Sequence, residues 1–228
     1  MTICQSYTGA WFPALSTSVI RICCLVTLIL CSPISPADAP EGLSVTAADG
    51  EYSLQVTVVL NAPVDYVYKV ITDYKNAYRI NPAITNVEIL PSGRDDVIRV
   101  RNLSEQCVWP FCFNIAWAGD IKATGDGGLE VKTLPGLSDF VSGSAIWRIR
   151  PQGDRTWVFY NSSLKPTFFI PPVIGDIILI NHIKNDTLAT FKRIECQAMM
   201  MLALDMEHQP DNFEQLSKEG KECLNPLG

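Results

Sequence analysis

Six short runs of alternating character, followed by one long run with a different period, restrict this chain to few folds. The runs occupy residues 86–90, 97–104, 111–123, 129–134, 141–150 and 155–164. Alternation at every second position is the mark of a strand with one dry face and one wet face. Phe113, Ile115 and Trp117 share a face, as do Ala145, Trp147 and Ile149, and as do Trp157 and Phe159. Turn residues separate the runs, among them Pro91-Ser92-Gly93, Gly125-Asp126-Gly127-Gly128 and Pro151-Gln152-Gly153. Spacings this short join neighbours into antiparallel hairpins. After Pro172 the period changes. Ile177, Ile180, Ile183, Thr187, Phe191, Ile194 and Ala198 recur at three and four, which predicts an amphipathic helix of ~30 residues, or ~45 Å.

The part ahead of these runs adds one strand and two short helices. Tyr52, Leu54, Val56, Val58 and Leu60 alternate with polar residues in a further strand. Asn61 is placed to cap a helix whose apolar stripe is Val64, Val67, Tyr68, Ile71 and Tyr74, with Asp65 in its first turn. A second short helix spans 76–80 and ends before Pro82. Residues 40–50 read as a linker, and the polar residues 205–228 as a loose tail.

The first 39 residues have the layout of a secretory signal. Arg21 precedes an apolar run over 22–31, and a small, turn-prone exit follows with cleavage expected after Ala37 or Ala39. The run is shorter than the ~20 residues that span a bilayer. Residues 1–18 lack Lys and Arg ahead of that layout, which points to a start near Val19 or Ile20. The expected home is outside the cytoplasm. The alternative is attachment to the inner membrane through an uncleaved N-terminal segment.

Cysteine usage agrees with export. Of the 8 cysteines, Cys107, Cys112, Cys196 and Cys223 lie beyond the signal. Four cysteines allow three pairings. The favoured one joins Cys107 to Cys112 around a short loop and Cys196 to Cys223, which ties the tail to the last helix. Zinc is disfavoured, because the C-x4-C spacing has no C-x2-C partner and the 2 histidines, His182 and His208, are far apart. The net charge of −6 repels phosphate backbones, so nucleic acid is not an expected partner. No cofactor is expected.

Several side chains are candidates for a site. If the face of Arg99 and Arg101 is the concave one, two guanidiniums enter the interior and can hold a carboxylate; Ile98 and Val100 on the opposite face favour an outward basic pair instead. Trp117, Phe140, Trp147 and Phe159 are read as inward, as core packing or as the wall of a ligand pocket. Phe168, Phe169 and Ile170 form either a tip for transient membrane contact or packing beneath the helix. His182 is a rim residue or a pocket acid or base. The Gly-rich stretch at 125–128 is a hairpin turn, since it lacks the strand–loop–helix setting of a phosphate cradle.

The order of elements, with certain words in it, resembles the START-like (SRPBCC) superfamily, in particular its polyketide cyclase/dehydrase and coenzyme Q-binding branch. The words are Asn61-Ala-Pro-Val-Asp-Tyr-Val-Tyr-Lys-Val-Ile-Thr-Asp-Tyr74, Asn81-Pro-Ala-Ile84, Trp147-Arg-Ile-Arg-Pro151 and Val158-Phe-Tyr160. The resemblance implies an α+β, helix-grip fold over 51–204. About seven antiparallel strands form a curved sheet wrapped on a long C-terminal helix, with two short helices after the first strand. It also implies a central cavity for an apolar small molecule such as a lipid, quinone or polyketide-like ring, in an exported, periplasmic variant. The expected function is therefore binding or carriage. A cyclase or dehydratase using the same cavity and an envelope interaction module are the alternatives.

Overall fold

The computed structural model describes residues 42–108, 111–170 and 174–206, together with Lys218 and Cys223. The signal at 1–39 and most of the tail at 205–228 lie outside the described residues.

Eight strands form one curved antiparallel sheet. In chain order they are β1 (Gly42–Ala48), β2 (Glu51–Leu60), β3 (Ile84–Leu90), β4 (Ile98–Val108), β5 (Phe111–Ala123), β6 (Leu129–Thr133), β7 (Phe140–Gln152) and β8 (Arg155–Pro166). Their spatial order is β1-β2-β8-β7-β6-β5-β4-β3. Hairpins account for every pairing but one, that of β2 with β8, which brings Tyr52 opposite Leu164. Helix α1 (Val64–Thr72) and a 3-10 turn (Tyr74–Arg79) separate β2 from β3, and α2 (Ile174–Asp205) ends the domain.

The eighth strand is the segment expected to be a linker. Gly42–Ala48 pairs along its whole length with β2 through a two-residue turn. Asp49 and Gly50 both have positive φ, 52° and 73°, as the mirror-image turns of tight hairpins require. Helix α1 also departs from expectation at its start. Pro63, in extended conformation, stands at the N-cap, and its carbonyl accepts from the N–H groups of Tyr66 and Val67. Asn61 does not cap; its backbone N–H donates to Glu195 on α2 instead.

The core lies between the inner face of the sheet and the helices. Val56, Leu60, Val100, Ile121, Leu129, Ile149 and Val158 from the strands meet Val67, Val70 and Ile71 of α1 and Phe191, Ile194 and Ala198 of α2. The apolar stripe of α2 is buried from Thr187 onward. Its earlier part is not: Ile177 and Ile178 are exposed. Full burial of a side chain such as Ile194 contributes about 1.5–3 kcal/mol.

Candidate functional site

The sheet is not packed solid. A hollow of about 290 Å³ opens on its inner face. Trp117 and Ile121 of β5, Leu129, Val131 and Thr133 of β6, Ser144, Ala145 and Trp147 of β7, and Tyr160, Ser162 and Leu164 of β8 wall it. Ile71 of α1 and Tyr74 of the following turn close it from the helical side. The long helix contributes from behind. Phe191 is buried with its ring 5.8 Å from Trp147 and 6.4 Å from Tyr160. Trp147 and Tyr160 are opposite in register, and their rings lie 4.3 Å apart at 43°. This aromatic wall is a cross-strand pair held by a helix residue.

Two glycines shape the space. A Cβ on Gly119 would sit 2.4 Å from Cζ2 of Trp117, so the indole occupies the space that a side chain there would need. A Cβ on Gly143 would sit 2.5 Å from both Leu164 and Thr133. Side chains therefore lean along the sheet at these two points.

The polar groups of the hollow are few. The indole Nε1 of Trp117 donates to Oγ1 of Thr133 at 3.1 Å. Thr133 is buried. Tyr160 and Ser162, two apart on β8, both face the hollow. Burial raises the Tyr160 phenol above its usual value, and the nearby Ser162 hydroxyl opposes the rise without cancelling it. Tyr160 lies deep in the protein, yet part of its ring stays accessible because it faces the hollow. Tyr74 is pushed up to about 12, chiefly by burial and secondarily by Tyr68. Among the described residues that line the hollow, none is Asp, Glu, Lys, Arg, His or Cys.

Of the expected site residues, Trp117 and Trp147 are in this wall, and four others are elsewhere. Arg99 and Arg101 are on the outer face of β4, because Val100 between them is buried in the core. Arg99 makes a two-pronged pair with Asp120 opposite, at 2.7 and 3.0 Å. That bond holds the Asp120 carboxyl below its usual value against the opposing effect of burial. Arg101 reaches Glu88 at 3.6 Å. Phe159 also faces outward, since the fully buried Val158 fixes the parity of β8; its ring stacks with Trp157 at 6.3 Å. Phe140, beside an irregularity at the start of β7, packs against Phe168 at 6.4 Å.

Tyr160, Ser162 and Thr133 had not been singled out. The signal for Tyr160 was present: Trp157 and Phe159 share a face with Arg155 and Asn161, whose polarity marks that face as outward. Nothing comparable marks Thr133, whose role depends on which strand lies next to β6.

His182 lies outside this wall. Its Nε2 is 3.0 Å from Oε1 of Gln106 and 3.3 Å from Oδ2 of Asp186, so it braces α2 against β4. Phe168 and Phe169 are 42% and 82% exposed, which leaves the loop before α2 with an apolar tip. Cys107 is bonded to Cys112 and Cys196 to Cys223. The Glu105 carboxylate approaches the first pair within metal-ligand spacing, but both sulfurs are already committed to the disulfide. No described helix is long and apolar enough to cross a membrane. The disulfides are compatible with an oxidising compartment.

Solved structures with the same architecture include the Zhui aromatase/cyclase of Streptomyces sp. R1128, with a TM-score of 0.56, 17% identity, and coverage of 67% of this chain and 96% of that one. A protein from Thermus thermophilus gives 0.53 and 14%, over 65% and 98%. A fragment of a STAR-related lipid transfer protein from Xanthomonas axonopodis gives 0.51 and 18%, over 69% and 99%. At these identities the likeness is one of fold. No curated protein matches the chain. The model of the family described as polyketide cyclase / dehydrase and lipid transport matches residues 60–193, which take in β3 to β8, both short helical elements and more than half of α2, and the chain belongs to that family.

Proposed function

We propose that the protein binds and carries an apolar small molecule in the hollow, in the periplasm. The observation that carries this reading is the unfilled space itself, about 290 Å³ walled by Trp117, Trp147 and Tyr160. Interiors pack at a density of ~0.74, and an unfilled space with apolar walls forfeits contacts that a guest can supply. Binding then draws on roughly 25 cal/mol for each Å² of apolar surface covered. The lining favours binding over catalysis. It offers hydroxyls and an indole but no ionic side chain among the described residues, and its phenols, raised by burial, keep their protons at neutral pH. The exposed Phe168 and Phe169, with the half-buried Ile170 beside them, support exchange of the guest at a membrane surface. The two disulfides support the periplasmic setting.

Fluorescence titration with a neutral apolar reporter, N-phenyl-1-naphthylamine, tests this. Ala145 lines the hollow, so Ala145→Phe fills it and is expected to weaken binding at least tenfold while the protein stays folded. Arg99→Gln on the outer face leaves binding unchanged. Phe169→Ser leaves the affinity unchanged and slows delivery of the reporter from neutral vesicles. Full binding by Ala145→Phe, or loss in Arg99→Gln, would overturn the assignment of the hollow. Turnover of a ring-forming substrate by the wild type, lost in Ala145→Phe, would replace carriage with the enzyme reading.

A further inference from the structure

We propose that a second cavity, at the end of the sheet where α2 begins, holds the zwitterionic headgroup of a phospholipid and so docks the protein on a bilayer. This deepens the membrane exchange proposed above by naming the lipid chemistry, at a site apart from the hollow.

The cavity has a volume of about 320 Å³, at the lower end of the ~300–1,000 Å³ usual for small-molecule sites. Three segments far apart in sequence build it. The β1–β2 turn supplies Asp49 and Gly50, the end of β8 supplies Lys165, and the first turn of α2 supplies Asp176. Tyr52 is part of the wall and donates its hydroxyl to one carboxylate oxygen of Asp176. Lys165 and Asp49 have no ion-pair partner among the described residues.

A cation and two carboxylates around one space call for a guest that carries both signs. A phosphodiester opposite Lys165 and an ammonium opposite Asp49 and Asp176 give every charge a counterpart. A simple anion meets the two carboxylates, and a simple cation meets Lys165. The net charge of −6 adds to the disadvantage of an anionic bilayer.

The surroundings point to a bilayer rather than a dissolved zwitterion. Phe168 and Phe169 also line the cavity, and both are exposed. Ile177 and Ile178, directly after Asp176, are exposed as well. Apolar side chains beside a charged cavity match the boundary of headgroup and acyl chain, where interfacial segments bury their apolar face ~5–10 Å deep.

Co-sedimentation of the intact protein with vesicles of phosphatidylcholine, phosphatidylglycerol or the uncharged digalactosyldiacylglycerol tests the proposal. Phosphatidylcholine is expected to bind about fivefold more tightly than either other lipid. Lys165→Gln and Asp49→Asn should each weaken binding to phosphatidylcholine by roughly three- to tenfold, the worth of one charged hydrogen bond. Neither should alter titration of the hollow with N-phenyl-1-naphthylamine. Equal binding to all three lipids, or tightest binding to phosphatidylglycerol, overturns the headgroup site. Glycerophosphocholine binding as tightly as the vesicles overturns the bilayer as the source. Absence of binding to any vesicle, with the reporter still held in the hollow, overturns this proposal and the membrane exchange but not carriage. The wild-type lipid series decides even if a variant fails to fold.

Discussion

Tyr52 shows how much one side chain can couple. Its ring is buried at the start of β2, and its hydroxyl donates to the carboxylate of Asp176 in the first turn of α2. The phenol is pushed up to about 12, first by burial and then by the bond to Asp176 and its charge. The folded state thus holds this proton more tightly than the unfolded chain, whose value is near 10.0. The resulting stabilisation is complete below pH 10 and is lost as pH rises toward 12. Tyr74 acts in the same window. Urea unfolding at stepped alkaline pH is expected to show this decline. Tyr52→Phe should cost about 1–2 kcal/mol at neutral pH, because Asp176 loses its donor, and should flatten the decline. A slope unchanged by the substitution would remove Tyr52 from the account. The tyrosine was legible as an inward strand residue; its partner was not, since 124 positions separate the two.

Among elements, the junction of β2 and α1 is held from a distance. Glu195, buried on α2, accepts from the backbone N–H of Asn61 at 3.2 Å and from Lys192 at 2.9 Å. Thr156 donates to the Ala62 carbonyl next door at 2.6 Å. The residues where strand becomes helix are therefore satisfied by α2 and β8 rather than by a local cap. Glu195→Ala strands a buried N–H and is expected to cost about 1–3 kcal/mol in chemical denaturation. Glu195→Gln, which keeps an acceptor, costs less, as does loss of the half-exposed Lys192. Equal losses for Ala and Gln would show that packing is what matters there. The sequence made the elements themselves readable, because period and turn residues are local. It hid β1: of its seven residues only Val45 is buried, so alternation is faint, although Asp49-Gly50 is a hairpin turn signal. The inward face of β8 was readable from Arg155 and Asn161 on the opposite one, although two aromatic residues on that outer face, Trp157 and Phe159, obscure it.

For the whole molecule, a helix and its tail are joined covalently. Cys196 lies in the core-facing half of α2, and its bond to Cys223 closes a span of 27 residues. A loop of that length is worth about 3.5 kcal/mol in the chain-entropy description. Cys223→Ser is expected to lower stability by about 2–4 kcal/mol with little effect on binding to the hollow, measured by denaturation alongside reporter titration. A loss below ~0.5 kcal/mol would mean that this bond contributes little to the fold. The fold class was readable at this scale because order and period suffice for it. The site was readable only in part. A wall built from four adjacent strands depends on register, which a single chain does not display.

The pairing of β2 with β8 has a consequence in time. Tyr52 cannot meet Leu164 until the chain between them has been made. At 5–20 residues per second that interval is roughly ten seconds. Until then the dry face of β2 has β1 beside it and no cover from α2, so the order of synthesis runs ahead of the order of burial.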